Sequence, residues 1–424
     1  MMVQGHGSFN RKANGLREAD FAQAVGLAVK REHPLARPYA STPYPLIPYP
    51  CPPAMHVFIY EYVTGGGLFN GSWHASDVAS LAAEGRAMCE SVSADFAAVE
   101  TVQVTCLRDA RFGDWAPNGY RSMDVGSRED RDAAFDRCAA EADWTLVIAP
   151  ELGGALAERC RRVIERGGRL LGGSLACIDL ASDKQATAEH LARSGVPVPH
   201  GVRFSLGQPW PLSLRYPAVW KPLDGAGSQG LWIVEHRDVP LPAPEPRPGR
   251  LEELHLRPYS SPHAPREESR HAQRDEAIPA SVSFLCGPGR HTPLPACRQH
   301  LTNDLRYLGG SLPLTPALAE RATMLATRAV ATLPESLGFF GVDLILGAAA
   351  DGQDDLIIEI NPRLTTSYVG LRAACRQNLA AAMLATVAGQ VCEVSFRDQA
   401  IEFLADGSLV SPCNRPAGIH DAGR

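Results

Sequence analysis

Short apolar runs alternate along this chain with longer stretches in which apolar residues recur every three or four positions, a pattern that predicts strands alternating with helices. From Met55 onward VFIYEYV, TVQVTCL, WTLVIAP and RLLGG read as four strands, with helices over 76–99, 130–142 and 156–166. Strands that alternate with helices predict a parallel sheet covered on both faces. The glycine turns Gly65-Gly66-Gly67 and Gly153-Gly154 follow strands, which is where such sheets place ligands. Their spacing is not the G-x-G-x-x-G dinucleotide fingerprint.

A second region opens at Ser182-Asp183-Lys184. Ser182 or Asp183 caps a predicted helix through Gln185, Thr187 and Leu191, which stops at Gly195 before a VPVP strand. Lys184 then falls in the first helical turn, where the helix dipole disfavours a cation. Further on, a strand over 218–220 presents Lys221, and a loop over 224–230 carries Gly225, Gly227 and Gly230 with Ser228 and Gln229, ahead of a strand over 231–235. GVDLILG and LIIEIN read as neighbouring strands joined by the polar stretch 351–355. Alanine-rich helices at 315–333 and 372–389 look like packing elements, with core spacing at Leu318, Ala322 and Leu325. The first 54 residues contain HPLARPYASTPYPLIPYPCPP, whose prolines predict a disordered, extended segment and make Met55 the expected start of the fold. Residues 401–424 are expected to form a C-terminal tail.

Composition narrows the function classes. A chain of 424 residues with 45% hydrophobic content can bury substantial cores, in roughly two to three domains. A net charge of -6 without a basic block argues against nucleic acid as a partner. No apolar run reaches the roughly 20 residues that cross a bilayer, so no membrane partner is expected. The 11 cysteines are odd in number and lack C-x-x-C or Cys/His zinc spacing, which suits reduced thiols in the cytoplasm.

Two constellations carry chemistry. In the predicted strand LIIEINPR, Glu359, Asn361 and Arg363 are two apart and share one face. Asp343 interrupts the apolar run GVDLILG in the same way. Read singly, either acid fits a strand end facing water. Together they predict a metal-binding hairpin, with carboxylates and a carboxamide for Mg²⁺ and a guanidinium for phosphate. The second constellation is Lys221 leading into the 224–230 glycine loop, where backbone N–H groups and a point charge can hold phosphates. It is no Walker A loop, and the three glycines alone would also suit an ordinary hairpin.

The ordered set of Lys184, Lys221 with its GAGSQG loop, Asp343 and EIN at 359–361 resembles the ATP-grasp superfamily of carboxylate–amine ligases. The resemblance spans about 55–395. It implies a mixed α/β and α+β fold, in which a doubly wound parallel-sheet pre-ATP-grasp domain over 55–181 precedes a two-lobed ATP-grasp domain over 182–400. It implies ATP as nucleotide, with Mg²⁺ or in its place Mn²⁺, and small-molecule carboxylate and amine substrates; a homodimer is compatible with it. Carried over by position, Lys184 and Lys221 contact phosphates, and Gly225, Gly227, Ser228 and Gly230 close over them. Glu252 and Glu253 lie on the adenine hinge, Asp343, Glu359 and Asn361 hold the metal, and Arg363 stabilises the transferred phosphoryl group.

The opening FIYEYVTGGG and the block EINPRLTTSYVGLR resemble tyramine–glutamate ligase and its relatives in methanofuran-type cofactor biosynthesis. That implies glutamate as the acid, tyramine or tyrosine as the amine, and Thr365, Thr366 and Ser367 as acceptor-site candidates. The chain departs from the pattern after Leu251-Glu252-Glu253-Leu254, where a polar, arginine- and proline-rich stretch over 255–277 reads as a disordered insertion. Arg298, Asp304 and Arg306, beside an expected Gly309-Gly310 turn, are candidates to orient a substrate carboxylate or to pair at the surface.

Overall fold

The computed structural model describes residues 54–70, 75–113, 119–205, 208, 210–225, 230–239, 248–256 and 277–410. The proline-rich extension, most of the 255–277 insertion, the chain after 410, and Gly227 and Ser228 fall outside these residues.

Strands β1 (Met55–Glu61), β2 (Val102–Asp109), β3 (Arg121–Val125) and β4 (Trp144–Ile148) form a parallel sheet in the order β3-β2-β1-β4. Both faces of β1 are covered, so its sequence is a continuous apolar run. Val57 and Ile59 meet Met88, Val92 and Phe96 of helix α1 (Ala75–Ala97). Phe58 and Tyr60 meet Phe135 of α2 (Arg128–Glu141) and Val163 of α3 (Ala155–Glu165). This is the alternating arrangement expected of a sheet buried on both sides. Two details differ from the expectation. The RLLGG stretch reduces to two isolated bridges, Thr145 to Leu170 in parallel and Gly173 to Ser336 in antiparallel. The fourth full strand is instead β3, whose polar sequence RSMDV suits an exposed sheet edge and carries no alternating signal.

Helix α4 (Leu175–Ala181) leads into α5 (Lys184–Arg193) and then a small antiparallel lobe. Its strands are β5 (Gly201–Phe204), β6 (Ala218–Pro222), β7 (Trp232–Val234) and β8 (Gly249–Glu253), in the order β5-β8-β6-β7. Phe204, Trp220, Val234 and Leu251 form its core, and Trp210 stacks on Phe204 with ring centroids 5.1 Å apart. The expected VPVP strand makes no ladder, since its two prolines lack N–H donors; pairing begins at Gly201.

The larger sheet follows the order β14-β13-β9-β11-β12-β15, with β10 (Arg290–Pro293) added on β9. Its strands are β9 (Ile278–Gly287), β11 (Cys297–Leu301), β12 (Tyr307–Leu312), β13 (Gly338–Leu346), β14 (Leu356–Asn361) and β15 (Ile401–Leu404). One face packs Val282, Phe284, Phe340 and Val342 against Ala322, Leu325 and Ala329 of α6 (Pro316–Val330). The other face begins apolar, at Leu285 and Phe339, beneath α7 (Ser367–Ala374) and α8 (Leu379–Val387). It then turns polar along the same strands at Ser283, Ser281 and Asp343. The helix expected over 372–389 is broken, and α8 restarts where the Asn378 side chain accepts from Ala381 N.

The sheet also runs past the expected boundary at residue 400. Strand β15 pairs antiparallel with β12, and Phe403 is fully buried. Gly309 and Gly310 are strand residues, not a turn, and a Cβ on Gly309 would lie 2.0 Å from the Phe403 carbonyl. Glycine there lets the edge strand approach.

The first domain is stapled to the large lobe through α1. Asp95 receives hydrogen bonds from Tyr368 Oη at 2.8 Å and from Arg372 Nη2 at 2.6 Å, and Asn378 Nδ2 donates to its carbonyl at 2.7 Å. A single apolar cluster runs from Val57 through α1 to Met383 and Leu384.

Candidate functional site

Strands β13 and β14 pair so that Asp343 faces Glu359 and Gly341 faces Asn361, with a register shift immediately after Asp343. Partners across a ladder point to the same side. Two carboxylates and a carboxamide therefore share the polar end of the sheet face. Asn361 Nδ2 donates to Asp343 Oδ2 at 2.9 Å, and Gln299 Nε2 of β11 donates to Asp343 Oδ1 at 2.8 Å. Burial, and then the opposed Glu359 carboxylate, push the Asp343 carboxyl up to about 7 despite these two donors. Gly341 leaves room beside Asn361, since a Cβ there would lie 2.9 Å from Thr365.

Lys184 comes to these acids from the opposite side. Asp183 caps α5, its Oδ1 accepting from Gln185 N and Ala186 N at 2.9 Å each. The first helical residue thus projects from the helix end, and the Lys184 backbone N–H donates to Leu223 O at 3.0 Å. Its buried Nζ donates to Gly225 O at 2.7 Å and to Glu359 Oε1. These partners account for a cation in a helical turn where the dipole disfavours one.

Beside it the small lobe buries a second cationic group. Lys221 of β6 sits 2.6 Å from Glu252 Oε1, while Arg250 Nε donates to Glu252 Oε2 at 2.6 Å. Lys221, Arg250 and Glu252 are each at most 5% exposed. Burial would raise the Glu252 carboxyl, but Lys221 and Arg250 outweigh it and hold it below the ordinary range. Arg250 Nη2 also donates to Pro199 O at 2.7 Å, which ties β8 to the chain entering β5. Two buried cations share one carboxylate, so this wall carries net positive charge.

A narrow cleft connects these groups. Lys184, Glu252 and Glu359 line it together with Leu191, Val198 and Ile357. The structure thus brings together Lys184, Gly225, Lys221 and Glu252 on one side and Asp343, Glu359 and Asn361 on the other. Glu253 is not among them. Neighbouring strand residues point to opposite faces, and Glu253 instead meets His200 Nδ1 at 3.3 Å and the Arg215 N–H at 3.2 Å. Gly230 adopts a positive φ of 72° at the far end of the glycine loop.

Arg363 follows β14 and is claimed by the first domain. Its Nε donates to Glu151 Oε1 at 2.9 Å and its Nη2 to Glu151 Oε2 at 3.2 Å. Burial works against the guanidinium charge, yet Glu151 prevails and holds Arg363 above its ordinary value. Thr366 Oγ1 donates to Glu84 of α1, and Ser367 Oγ lies 2.8 Å from Thr365 Oγ1 and 2.9 Å from Ser283 Oγ. Arg306 and Asp304 form an exposed ion pair at 2.9 Å. Arg298 is exposed and pairs in register with Ala280, on the sheet face away from Asp343. These three charges therefore stand apart from the acid pair.

Sequence reasoning missed Glu151, Arg250, Gln299 and Glu84. A signal existed for Glu151, an acid directly after an apolar strand and ahead of Gly153-Gly154. The others depend on contacts between distant segments.

The fold agrees with the comparisons. Residues 102–178 match the model of the pre ATP-grasp 3 domain, and residues 272–367 match that of the ATP-grasp domain. No curated protein matches the sequence significantly. Among solved structures, an ATP-grasp superfamily protein from Archaeoglobus fulgidus is 22% identical with a TM-score of 0.58, covering 82% of this chain and 92% of its own. N5-carboxyaminoimidazole synthetase from Staphylococcus aureus, complexed with ADP, is 13% identical with a TM-score of 0.56 and covers 82% of each chain. The biotin carboxylase β-γ-ATP complex from Campylobacter jejuni is 14% identical with a TM-score of 0.56, covering 82% of this chain and 74% of its own. At these identities the likeness establishes the fold.

Proposed function

We propose that this chain, with a pre-ATP-grasp domain and an ATP-grasp fold, is an ATP-dependent, ADP-forming carbon–nitrogen ligase working through an acyl phosphate. The observation that carries the reading is the contact of buried Lys184 with Glu359, one of the opposed acids of β13 and β14, beside a small lobe that buries Lys221 on Glu252. Glu252, the partner of Lys221, lines the same cleft as Lys184 and Glu359. Nucleotide complexes of two similarly folded proteins support a nucleotide there.

A divalent cation fits the residues present. Asp343 and Glu359 offer hard carboxylate oxygens, and the Asn361 amide, turned over, offers its carbonyl oxygen. Among the described residues no group of three or more His, Cys, Asp or Glu side chains could hold a metal; the third protein donor is therefore the carboxamide. The metal, when bound, neutralises charge on the phosphates.

The chain's own residues do the rest. Lys184 and Lys221 turn from their carboxylate partners to phosphate oxygens. Phosphoryl transfer asks for alignment and charge neutralisation more than covalent chemistry. Arg363, held at the end of β14, faces the oxygens of the phosphoryl group as it passes to the substrate carboxylate. Attack by an amine on the acyl phosphate then forms the amide and releases phosphate.

The narrower reading joins glutamate to tyramine or tyrosine, and rests on the likeness of FIYEYVTGGG and EINPRLTTSYVGLR to that family. Thr365, Thr366 and Ser367, just beyond Arg363, are its candidate acceptor-site residues. The described cysteines are free thiols, which favours the cytoplasm, and no described helix is long and apolar enough to cross a membrane.

Phosphate release from Mg-ATP, measured with glutamate paired in turn with tyramine, tyrosine and other amines, tests both levels. Release that needs an acid and an amine, with an amide of matching mass, is the expected result. An amide from a different pair replaces the narrower reading. Nucleotide binding without release under any pairing contradicts the ligase.

A further inference from the structure

The loop after β4 touches both lobes of the ATP-grasp fold at once. Glu151, 3% exposed, grips Arg363 of the large lobe with both carboxylate oxygens. Two residues on, Gly153 N donates to Asp224 Oδ2 at 2.8 Å, at the root of the small lobe's glycine loop. The loop is tightly wound. Gly154 N donates to Glu151 O at 3.0 Å and Leu156 N to Pro150 O at 3.0 Å, while Gly153 and Gly154 both take positive φ, 61° and 71°. Backbone of this kind holds the Glu151 side chain in a fixed direction.

The charges around Arg363 give that grip a purpose. Glu359 and Glu84 also act on its guanidinium, after Glu151. Glu359 lies on the same strand face, two positions from Asn361. Without Glu151 a buried guanidinium is left to these two carboxylates; Lys184 already holds Glu359 Oε1, so pairing with Arg363 would take the remaining oxygen of that acid. A two-pronged carboxylate fixes both the position and the rotation of a guanidinium plane.

We propose that Glu151 is a positioning residue: it holds Arg363 at the phosphoryl-transfer point and keeps it off Glu359, leaving that carboxylate for the divalent cation. The idea rests on the ligase reading for its kinetic part only. Through Gly153 the same loop also holds Asp224 of the small lobe, so the first domain contacts both lobes at this point.

The test uses the full chain with Glu151→Gln, Glu151→Asp and Arg363→Met. In Glu151→Gln, kcat for phosphate release falls about 100-fold while KM for ATP changes less than about 3-fold, the pattern of a misplaced transition-state group. Glu151→Asp recovers part of the loss. In the Arg363→Met background Glu151→Gln adds little, because the two act as one unit. A second measurement does not need turnover. Mn²⁺ titrated into the protein with ADP, with free metal followed by its paramagnetic resonance, binds about 10-fold more weakly to Glu151→Gln and unchanged to Arg363→Met,Glu151→Gln. Equal Mn²⁺ affinity in Glu151→Gln and the wild type overturns the proposal, as does undiminished kcat. A wild-type protein that binds Mn²⁺ and ADP without turnover sinks the ligase reading alone, and the Mn²⁺ comparison still decides the role of Glu151.

Discussion

Asp343→Asn makes the ligand-free protein more stable at pH 8 and removes its Mg-ATP turnover. The carboxyl is opposed to Glu359 and pushed by burial up to about 7 from an ordinary 3.8. A carboxyl raised in the folded state favours folding fully below its unfolded value, and that contribution is lost as pH rises through the folded value. Between about pH 4 and pH 7 the wild type therefore loses stability through this group. At about 1.36 kcal/mol per pH unit the interval sets a ceiling near 4 kcal/mol, and partial exposure brings the expected gain of the variant to about 1–2 kcal/mol at pH 8. The new amide still accepts from Gln299, and the Asn361 amide can turn to accept in its place. Turnover falls by about 1,000-fold or more, because a carboxylate donor for the cation is gone. Urea midpoints at pH 5 and pH 8, with chelator present, check the first half. Equal midpoints for wild type and variant at pH 8 would show that the acid pair is not strained.

Glu252→Ala has the opposite effect and the largest expected loss of stability. It leaves Lys221 and Arg250 buried side by side without their shared carboxylate. Removing one partner from a buried ion pair costs about 3–5 kcal/mol, far more than the pair's net worth, because the remaining charge stays desolvated. The pH dependence runs with the depressed carboxyl. Glu252 supplies its stability above the ordinary carboxylate range and loses it as pH falls through its lowered folded value. The variant therefore lacks this part of the wild type's acid-induced loss. Saturating Mg-ADP should recover part of the deficit, since phosphates replace the missing anion. Denaturation midpoints at pH 7 with and without nucleotide measure it; a loss below about 1 kcal/mol would mean that the two cations reach solvent.

The pairing of Asp343 with Glu359 was legible in the sequence because these acids interrupt strands that are otherwise apolar, an anomaly that local pattern exposes. Lys184 was legible for a similar reason, as a cation placed where a helix dipole opposes it, and its partners Gly225 and Glu359 supply the explanation. The doubly covered sheet followed from the continuous apolar strands. Elements without such local signals were missed. Strand β3 is polar because it lies at an edge, and β15 is a strand only through β12, far upstream in the chain. The break between α7 and α8 carries neither glycine nor proline, and shows only once the Asn378 cap is seen. Glu253 was grouped with Glu252 because adjacency in sequence hides the alternation of a strand. Glu151 meets Arg363 across 212 residues, a contact that no local pattern encodes.

The acyl phosphate is tested most directly by isotope transfer. The carboxylate substrate that supports release is labelled with ¹⁸O in both oxygens, and the released phosphate is analysed by mass. Transfer of one labelled oxygen into phosphate per amide formed is the predicted result, since the carboxylate oxygen that attacks phosphorus leaves with it. Unlabelled phosphate alongside normal amide formation would contradict the account.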